Sequence, residues 1–122
     1  MSVFFYDSYA VIEHIEANPT FSIYFEKHSG MLTLLNVLEI YYSTLVDLGE
    51  QKANLVLETI KPLVVEPTNE TIVKAMKFKR DNKKWKLSYA DCLGYQIALE
   101  KRIKFLTGDK QFKELPNVEF VK

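Results

Sequence analysis

Leu87-Ser88-Tyr89-Ala90-Asp91-Cys92-Leu93-Gly94-Tyr95-Gln96-Ile97-Ala98, followed by Lys104-Phe105-Leu106-Thr107-Gly108-Asp109-Lys110-Gln111-Phe112, is the stretch that decides how the chain is read. Its first part reads as a helix with an acid in the opening turn, and its second as a short buried strand running into a turn that ends in another acid. At the start of the chain Val3-Phe4-Phe5-Tyr6 is a second short apolar run, and it delivers Asp7. Open α/β sheets bind ligands beyond the carboxyl ends of their strands, so a strand that releases a carboxylate at its exit is placing chemistry.

Working outward, strand-like and helix-like segments alternate with no long linker, repeat or low-complexity tract. Ser8 to about Glu16 is expected as a helix with Val11, Ile12 and Ile15 on one side. Asn18-Pro19 stops it, and Pro19 opens a second helix carrying Phe21, Tyr24 and Phe25. After Gly30, Met31-Leu32-Thr33 is long enough only for a brief strand. From Leu34 to Leu48 the positions Leu34, Val37, Leu38, Tyr41, Leu45 and Leu48 repeat at helical spacing, and Gly49 closes the segment. A helix over about Glu50 to Ile60 is expected to bury Ala53, Leu57 and Ile60 before Pro62 interrupts it. Leu63-Val64-Val65 then reads as a third strand, stopped by Pro67. Thr68 or Asn69 caps a helix running to about Arg80 with Ile72, Val73 and Met76 inward, Asp81 to Lys86 is a polar loop, and Val118-Glu119-Phe120-Val121 is the last strand. Five short strands separated by helices predict an α/β fold: one domain over residues 1–122, with a parallel sheet covered on both faces.

Composition narrows the function. The chain of 122 residues is 48% hydrophobic, enough for one core without staples. Formal charge is +0, but residues 1–73 hold three basic residues (Lys27, Lys52, Lys61) against ten acids, and residues 74–122 hold thirteen against six. The second half is therefore locally basic and suited to a phosphate backbone. One cysteine, Cys92, excludes an internal disulfide and a cysteine zinc knuckle, as expected in a reducing compartment. No apolar run approaches the ~20 residues that span a bilayer. Asp7, Glu13 and Glu16 break up the opening segment, which is not expected to be a signal peptide, so a cytoplasmic protein is expected.

Neighbouring first and fourth strands would bring Asp7 and Asp109 into one crevice. Asp91 sits in the first turn of the helix that feeds the fourth strand. Glu39, with Leu35 and Tyr42 flanking it at i−4 and i+3, borders the apolar stripe of its helix. Each acid also has a purely structural reading. Asp7 is placed to N-cap a helix, Ser88-x-x-Asp91 is a capping-box pattern, Asp109 follows Gly108 as turn residues do, and Glu39 is of the type that usually lies solvated on a helix. Capping and ligand binding are compatible. Two unit charges ~4 Å apart repel by roughly 4 kcal/mol at the effective dielectric of a protein surface, so four converging carboxylates must take up protons or a cation. An all-oxygen set without His or Cys suits Mg2+ or Mn2+ rather than zinc, and His14 and His28 fall outside the set. A hard ion that activates water and offsets charge on a leaving oxygen is the equipment of a phosphodiester hydrolase.

Phe5-Tyr6-Asp7-Ser8, Asn36-Val37-Leu38-Glu39, Leu87-Ser88-Tyr89-Ala90-Asp91 and Leu106-Thr107-Gly108-Asp109-Lys110-Gln111-Phe112, in this order and over nearly the whole chain, closely resemble the PIN-domain ribonucleases, and among them the small VapC-type toxins of type II toxin–antitoxin systems. The resemblance implies a Rossmann-like, five-stranded sheet of order 3-2-1-4-5, a Mg2+- or Mn2+-dependent endoribonuclease site, a homodimer, and neutralisation by a cognate antitoxin. Carried over by position, Asp7, Glu39, Asp91 and Asp109 match the family's acidic quartet of catalytic and metal ligands, and Ser8 and Thr107 match the hydroxyl residues beside it.

Lys74, Lys77, Lys79, Arg80, Lys83, Lys84 and Lys86 crowd one stretch in which Asp81 is the only acid. They read either as a solvated face or as an RNA backbone contact centred on Lys83, Lys84 and Lys86. Trp85 would stack on a base or shield the core edge. Val11, Ile15, Phe21, Tyr24 and Phe25 are core residues that could also shape a groove for an antitoxin helix. Competing functions are a catalytically silent PIN-fold RNA- or protein-binding module and, further off, a receiver-like phosphoacceptor domain or haloacid-type phosphatase. Asp7 lacks the acidic neighbour that a receiver needs and the Asp-x-Asp of the phosphatase, and Glu66-Pro67 stands where a receiver places its phosphoacceptor aspartate.

Overall fold

The computed structural model describes residues 1–122. Its order is β1 (Val3–Tyr6), α1 (Ser8–Ile15), α2 (Pro19–Glu26), β2 (Ser29–Met31), α3 (Leu34–Leu48), α4 (Glu50–Ile60), α5 (Asn69–Asp81), α6 (Tyr89–Lys101), β3 (Lys104–Thr107) and β4 (Val118–Phe120). All strand pairs are parallel, and the order across the sheet is β2-β1-β3-β4. β1 and β3 are thus the inner pair, with Phe5 opposite Phe105 and Tyr6 opposite Leu106. Pairing runs one step past β1, because the Asp7 amide donates to the Leu106 carbonyl at 3.1 Å.

The sheet has four strands rather than the expected five. Leu63-Val64-Val65 lies where a fifth strand of order 3-2-1-4-5 would lie, beside the end of β2. It makes only a single parallel bridge there, Leu32 to Val64, with the Leu32 amide on the Leu63 carbonyl at 3.2 Å and the Val65 amide on the Leu32 carbonyl at 2.8 Å. Pro62 holds Lys61–Leu63 in a 3₁₀ turn and Pro67 ends the extended run, so too few residues remain between them for a ladder. β2 also begins earlier than expected, leaving Thr33 free to open α3.

Alternation along β1 covers both faces of the sheet. Phe5 stacks on Phe105 (centroids 5.8 Å, planes 10° apart) under α6, while Phe4 packs edge-on to Tyr24 and Tyr6 stacks on Phe25, both from α2. α5 packs on α6, and α1 lies against α2 and α3. No helix is long and apolar enough to cross a membrane.

Two helices bury a different face from the one their apolar residues suggest. In α3 the buried residues are Asn36, Val37, Ile40 and Thr44, while Leu34, Leu38, Leu45 and Leu48 of the expected stripe are exposed. Polar Asn36 and Thr44 are buried because both are hydrogen-bonded, Thr44 to the Ile40 carbonyl at 2.8 Å. In α5 the small residues Thr71 and Ala75 face α6, and Ile72 and Val73 point outward. α4 buries Ala53, Val56 and Ile60, with Leu57 half-buried.

Gly94 on α6 is where the helix meets the sheet: a Cβ there would lie 2.4 Å from Phe5 Cε1, and Phe5 is fully buried against Phe105. Gly94→Ala therefore forces overpacking with no room to yield. It should cost about 1–3 kcal/mol, read as a lowered midpoint in urea denaturation; an unchanged midpoint would show that α6 does not sit this close to β1.

Candidate functional site

Asp7 is the first residue beyond β1, at the N-cap position of α1. It makes no side-chain cap. Instead its Oδ2 accepts from the Thr107 hydroxyl, at the exit of β3, at 2.6 Å, and the carboxylate is 3% exposed. The same Thr107 oxygen accepts from the Asp109 amide at 3.0 Å, so one hydroxyl positions two acids. Gly108 makes this crossing possible, since a Cβ there would lie 2.6 Å from the Tyr9 ring and 2.7 Å from the Val121 carbonyl. Asp109 is half-buried, and its Oδ1 accepts from the Gln111 amide at 3.0 Å, as a turn aspartate does.

Asp91 is held by the capping box read from the sequence: its Oδ2 accepts from the Ser88 amide at 2.9 Å, and its amide donates to Ser88 Oγ at 3.0 Å. The helix cap fixes the carboxylate at the rim. Glu39, on α3, keeps an exposed edge, but its Oε1 accepts from the Ser8 hydroxyl at 2.6 Å. Ser8 is fixed in turn by Asn36, whose amide nitrogen donates to Ser8 Oγ at 2.9 Å while its Oδ1 accepts from the Thr33 amide and hydroxyl, each at 2.9 Å. Asn36 is fully buried and is the site residue that sequence reasoning did not single out. The available signal was its position, one turn before Glu39 and three residues after the capping Thr33.

The four acids are neighbours electrostatically. Burial, then the charge of Asp91, pushes Asp7 up to about 8 against the opposing Thr107 hydrogen bond, with Asp109 and Glu39 adding to the rise. Glu39 is raised by loss of water around its carboxylate and by Asp91, against the Ser8 hydrogen bond. Asp91 is raised by burial and by Asp109, while its Ser88 hydrogen bonds and the nearby Lys79 pull the other way. None of the four has a salt-bridge partner, and the ion pairs present, Glu70 with Lys74 and Arg80 with Asp81, lie elsewhere. An all-oxygen set with uncompensated charge fits a hard divalent cation by its chemistry. As placed, the four acids do not form a closed ligand cluster, each carboxylate being turned toward its own hydrogen-bond donor.

A cavity of about 560 Å3 contains none of these acids. It is a groove between α1, α2, β2 and α4, lined by Val11, Ile15 and Phe25 on one side and Leu55, Val56 and Ile60 on the other. Phe21 belongs to the core, and Tyr24 does not line the groove. Trp85 is half-buried against the core, whereas Lys83, Lys84 and Lys86 are exposed.

The family model of the PIN domain matches residues 4–118. No curated protein matches the sequence. Among solved structures the chain is similar to Mycobacterium tuberculosis VapC20, a toxin that cleaves the sarcin–ricin loop (TM-score 0.79, 16% identity, 99% of this chain and 100% of that one). It is similar as well to a toxin–antitoxin complex from Klebsiella pneumoniae (0.72, 16%, 97% and 95%) and to VapBC-1 from nontypeable Haemophilus influenzae (0.68, 15%, 97% and 96%). At these identities the likeness is one of fold.

With its pKa raised from 3.8 to about 8, Asp7 binds its proton more tightly in the folded than in the unfolded chain. Stability of the chelator-treated protein should therefore fall as pH rises through that interval. Asp7→Asn should flatten the slope and raise the thermal midpoint at the alkaline end. A wild-type midpoint that climbs over the same range would overturn the assignment of Asp7 as a desolvated acid.

Proposed function

The chain belongs to the PIN-domain family, and we propose that it is a metal-dependent endoribonuclease of the VapC toxin type, held in check by a cognate antitoxin. The observation that carries the reading is Asp7: a buried carboxylate, 3% exposed, with three further acids acting on it and no basic side chain paired with it. Such a site is stable as built only with protons or with a divalent ion, and the second makes a hydrolase.

Asp7, Asp91, Asp109 and Glu39 are the residues that would hold Mg2+ or Mn2+, which when bound supplies positive charge against the phosphoryl oxygens and lowers the pKa of an attacking water. The chain's own part is orientation. Thr107 aims Asp7, Asn36 aims Glu39 through Ser8, and the Ser88 cap aims Asp91. Lys83, Lys84 and Lys86 face solvent and would meet the RNA backbone.

The antitoxin would lay an apolar peptide into the groove between α1 and α4, a reading prompted by the toxin–antitoxin assemblies among the similar folds. Leu55→Asp should then abolish capture by a coexpressed antitoxin, and retained capture would move the partner elsewhere. A homodimer belongs to the same proposal, with the exposed apolar residues Leu38, Tyr42 and Val46 of α3 as the surface it would cover. A single-chain mass by sedimentation would remove it.

One observation favours a silent PIN-fold binding protein instead: the four carboxylates, as placed, do not form a closed ligand cluster. Cleavage of structured and unstructured RNA with Mn2+ or with EDTA separates the two. Products should appear only with the ion. Asp7→Asn and Asp91→Asn should lower the rate by about two orders of magnitude or more with folding intact, since Asn retains an oxygen for the Thr107 or Ser88 donor. No ion-dependent products from any RNA would leave the silent reading standing.

A further inference from the structure

An acid cluster repels the polyanion it is proposed to cut, so the affinity for RNA must come from outside it. The surface between the end of α5 and the start of α6 has the required sign. A cavity of about 290 Å3 lies there, bordered by Lys79, Arg80, Lys83 and Lys86 with Asn82, and no carboxylate lines it. Arg80 is engaged by Asp81 at 2.9 Å, and Lys84 does not line the cavity, which leaves Lys79, Lys83 and Lys86 as its cations without a carboxylate partner. The negative end of the α5 dipole accounts for cations in the last turn of that helix, but not for Lys83 and Lys86 beyond it.

Lys79 joins this pocket to the acid site. Its Nζ donates to the Leu87 carbonyl, just ahead of the Ser88 cap, and lies 5.0 Å from the centroid of the Tyr89 ring. Its charge also reaches Asp91. Tyr89, the first residue of α6, is 65% exposed, and its hydroxyl has no hydrogen-bond partner. A large aromatic ring with Lys79 over one face is therefore largely exposed, next to the cationic pocket and two residues before a candidate site carboxylate. An exposed ring beside clustered cations is the arrangement that holds single-stranded nucleic acid, with the ring stacking a base and the cations taking the phosphate.

We propose that this surface is a nucleotide subsite beside the cleavage centre, where an unpaired base of the RNA stacks on Tyr89 and the adjoining phosphate seats among Lys79, Lys83 and Lys86. The inference rests on the nuclease reading and sharpens it. A base inside a helix has no free face for the ring, so this subsite engages an unpaired nucleotide.

The test is fluorescence anisotropy in EDTA, with a labelled single-stranded RNA of mixed sequence and its fully paired duplex as probes, across a salt series. Tyr89→Leu, which keeps bulk but loses the π face, should weaken single-strand binding about tenfold, whereas Tyr89→Phe should bind as wild type does and the duplex affinity should not respond to either. Lys83→Gln with Lys86→Gln should reduce the slope of log affinity against log salt by about 1.4, while Lys84→Gln should change it less than either pocket lysine. Equal affinities for Tyr89→Leu and wild type, a Tyr89→Phe loss as large as that of Tyr89→Leu, or equal losses on both probes would each overturn the subsite. Cleavage with Mn2+ is scored separately. A protein that binds through Tyr89 but never cuts refutes the nuclease reading, and one that cuts while ignoring Tyr89 and the pocket lysines refutes the subsite alone.

Discussion

The hydrogen bond from Thr107 to Asp7 closes over a carboxylate that water barely reaches. An unpaired buried charge costs several kcal/mol in effective terms, and the surrounding chain is arranged around that cost. β1 and β3 must be neighbours and parallel for their exits to meet, and Gly108 must lack a side chain for the crossing to close. Gly94 must let α6 descend onto Phe5, so that Asp91 arrives at the same rim. Each of these brings one acid to the shared rim.

Support for the acids comes in two layers. The nearer layer is hydroxyl and backbone donors: Thr107, Ser8 and the Ser88 amide, each bonded to one carboxylate. Behind Ser8 stands Asn36, fully buried and bonded on both ends of its amide, which links the start of α3 to the start of α1. Buried polar networks of this kind specify one geometry because every alternative leaves a donor or acceptor unpaired. They also account for where the acids point, since each carboxylate is oriented by its own donor.

Much of the architecture was legible because its signals are local. Strand ends followed by Asp, the Asn18-Pro19 and Thr68 helix starts, Gly49 and the Ser88 capping box each announce a boundary through backbone chemistry. The inward faces of α3 and α5 were not legible in the same way. In α3 leucines occupy two sides, and the side that packs is chosen by Asn36 and Thr44, polar residues that become interior only once their partners are in place. In α5 small residues permit close approach to α6 and displace Ile72 and Val73 outward. Lys79 and Tyr89 likewise acquire meaning from a meeting of α5 with α6 that spacing along the chain does not reveal. The missing strand failed for a plainer reason: three apolar residues between prolines satisfy a strand pattern but not a ladder.

Those prolines also shape how the molecule behaves in a crowd. Sheets invite association wherever a border strand leaves its amides unclaimed. Here the Val64 amide is already turned back to the Lys61 carbonyl, while Pro62 and Pro67 have no amide hydrogen to give. A foreign strand approaching residues 61–67 finds few amides to pair with, so the stretch that failed to become a fifth strand is also a poor template for an added one.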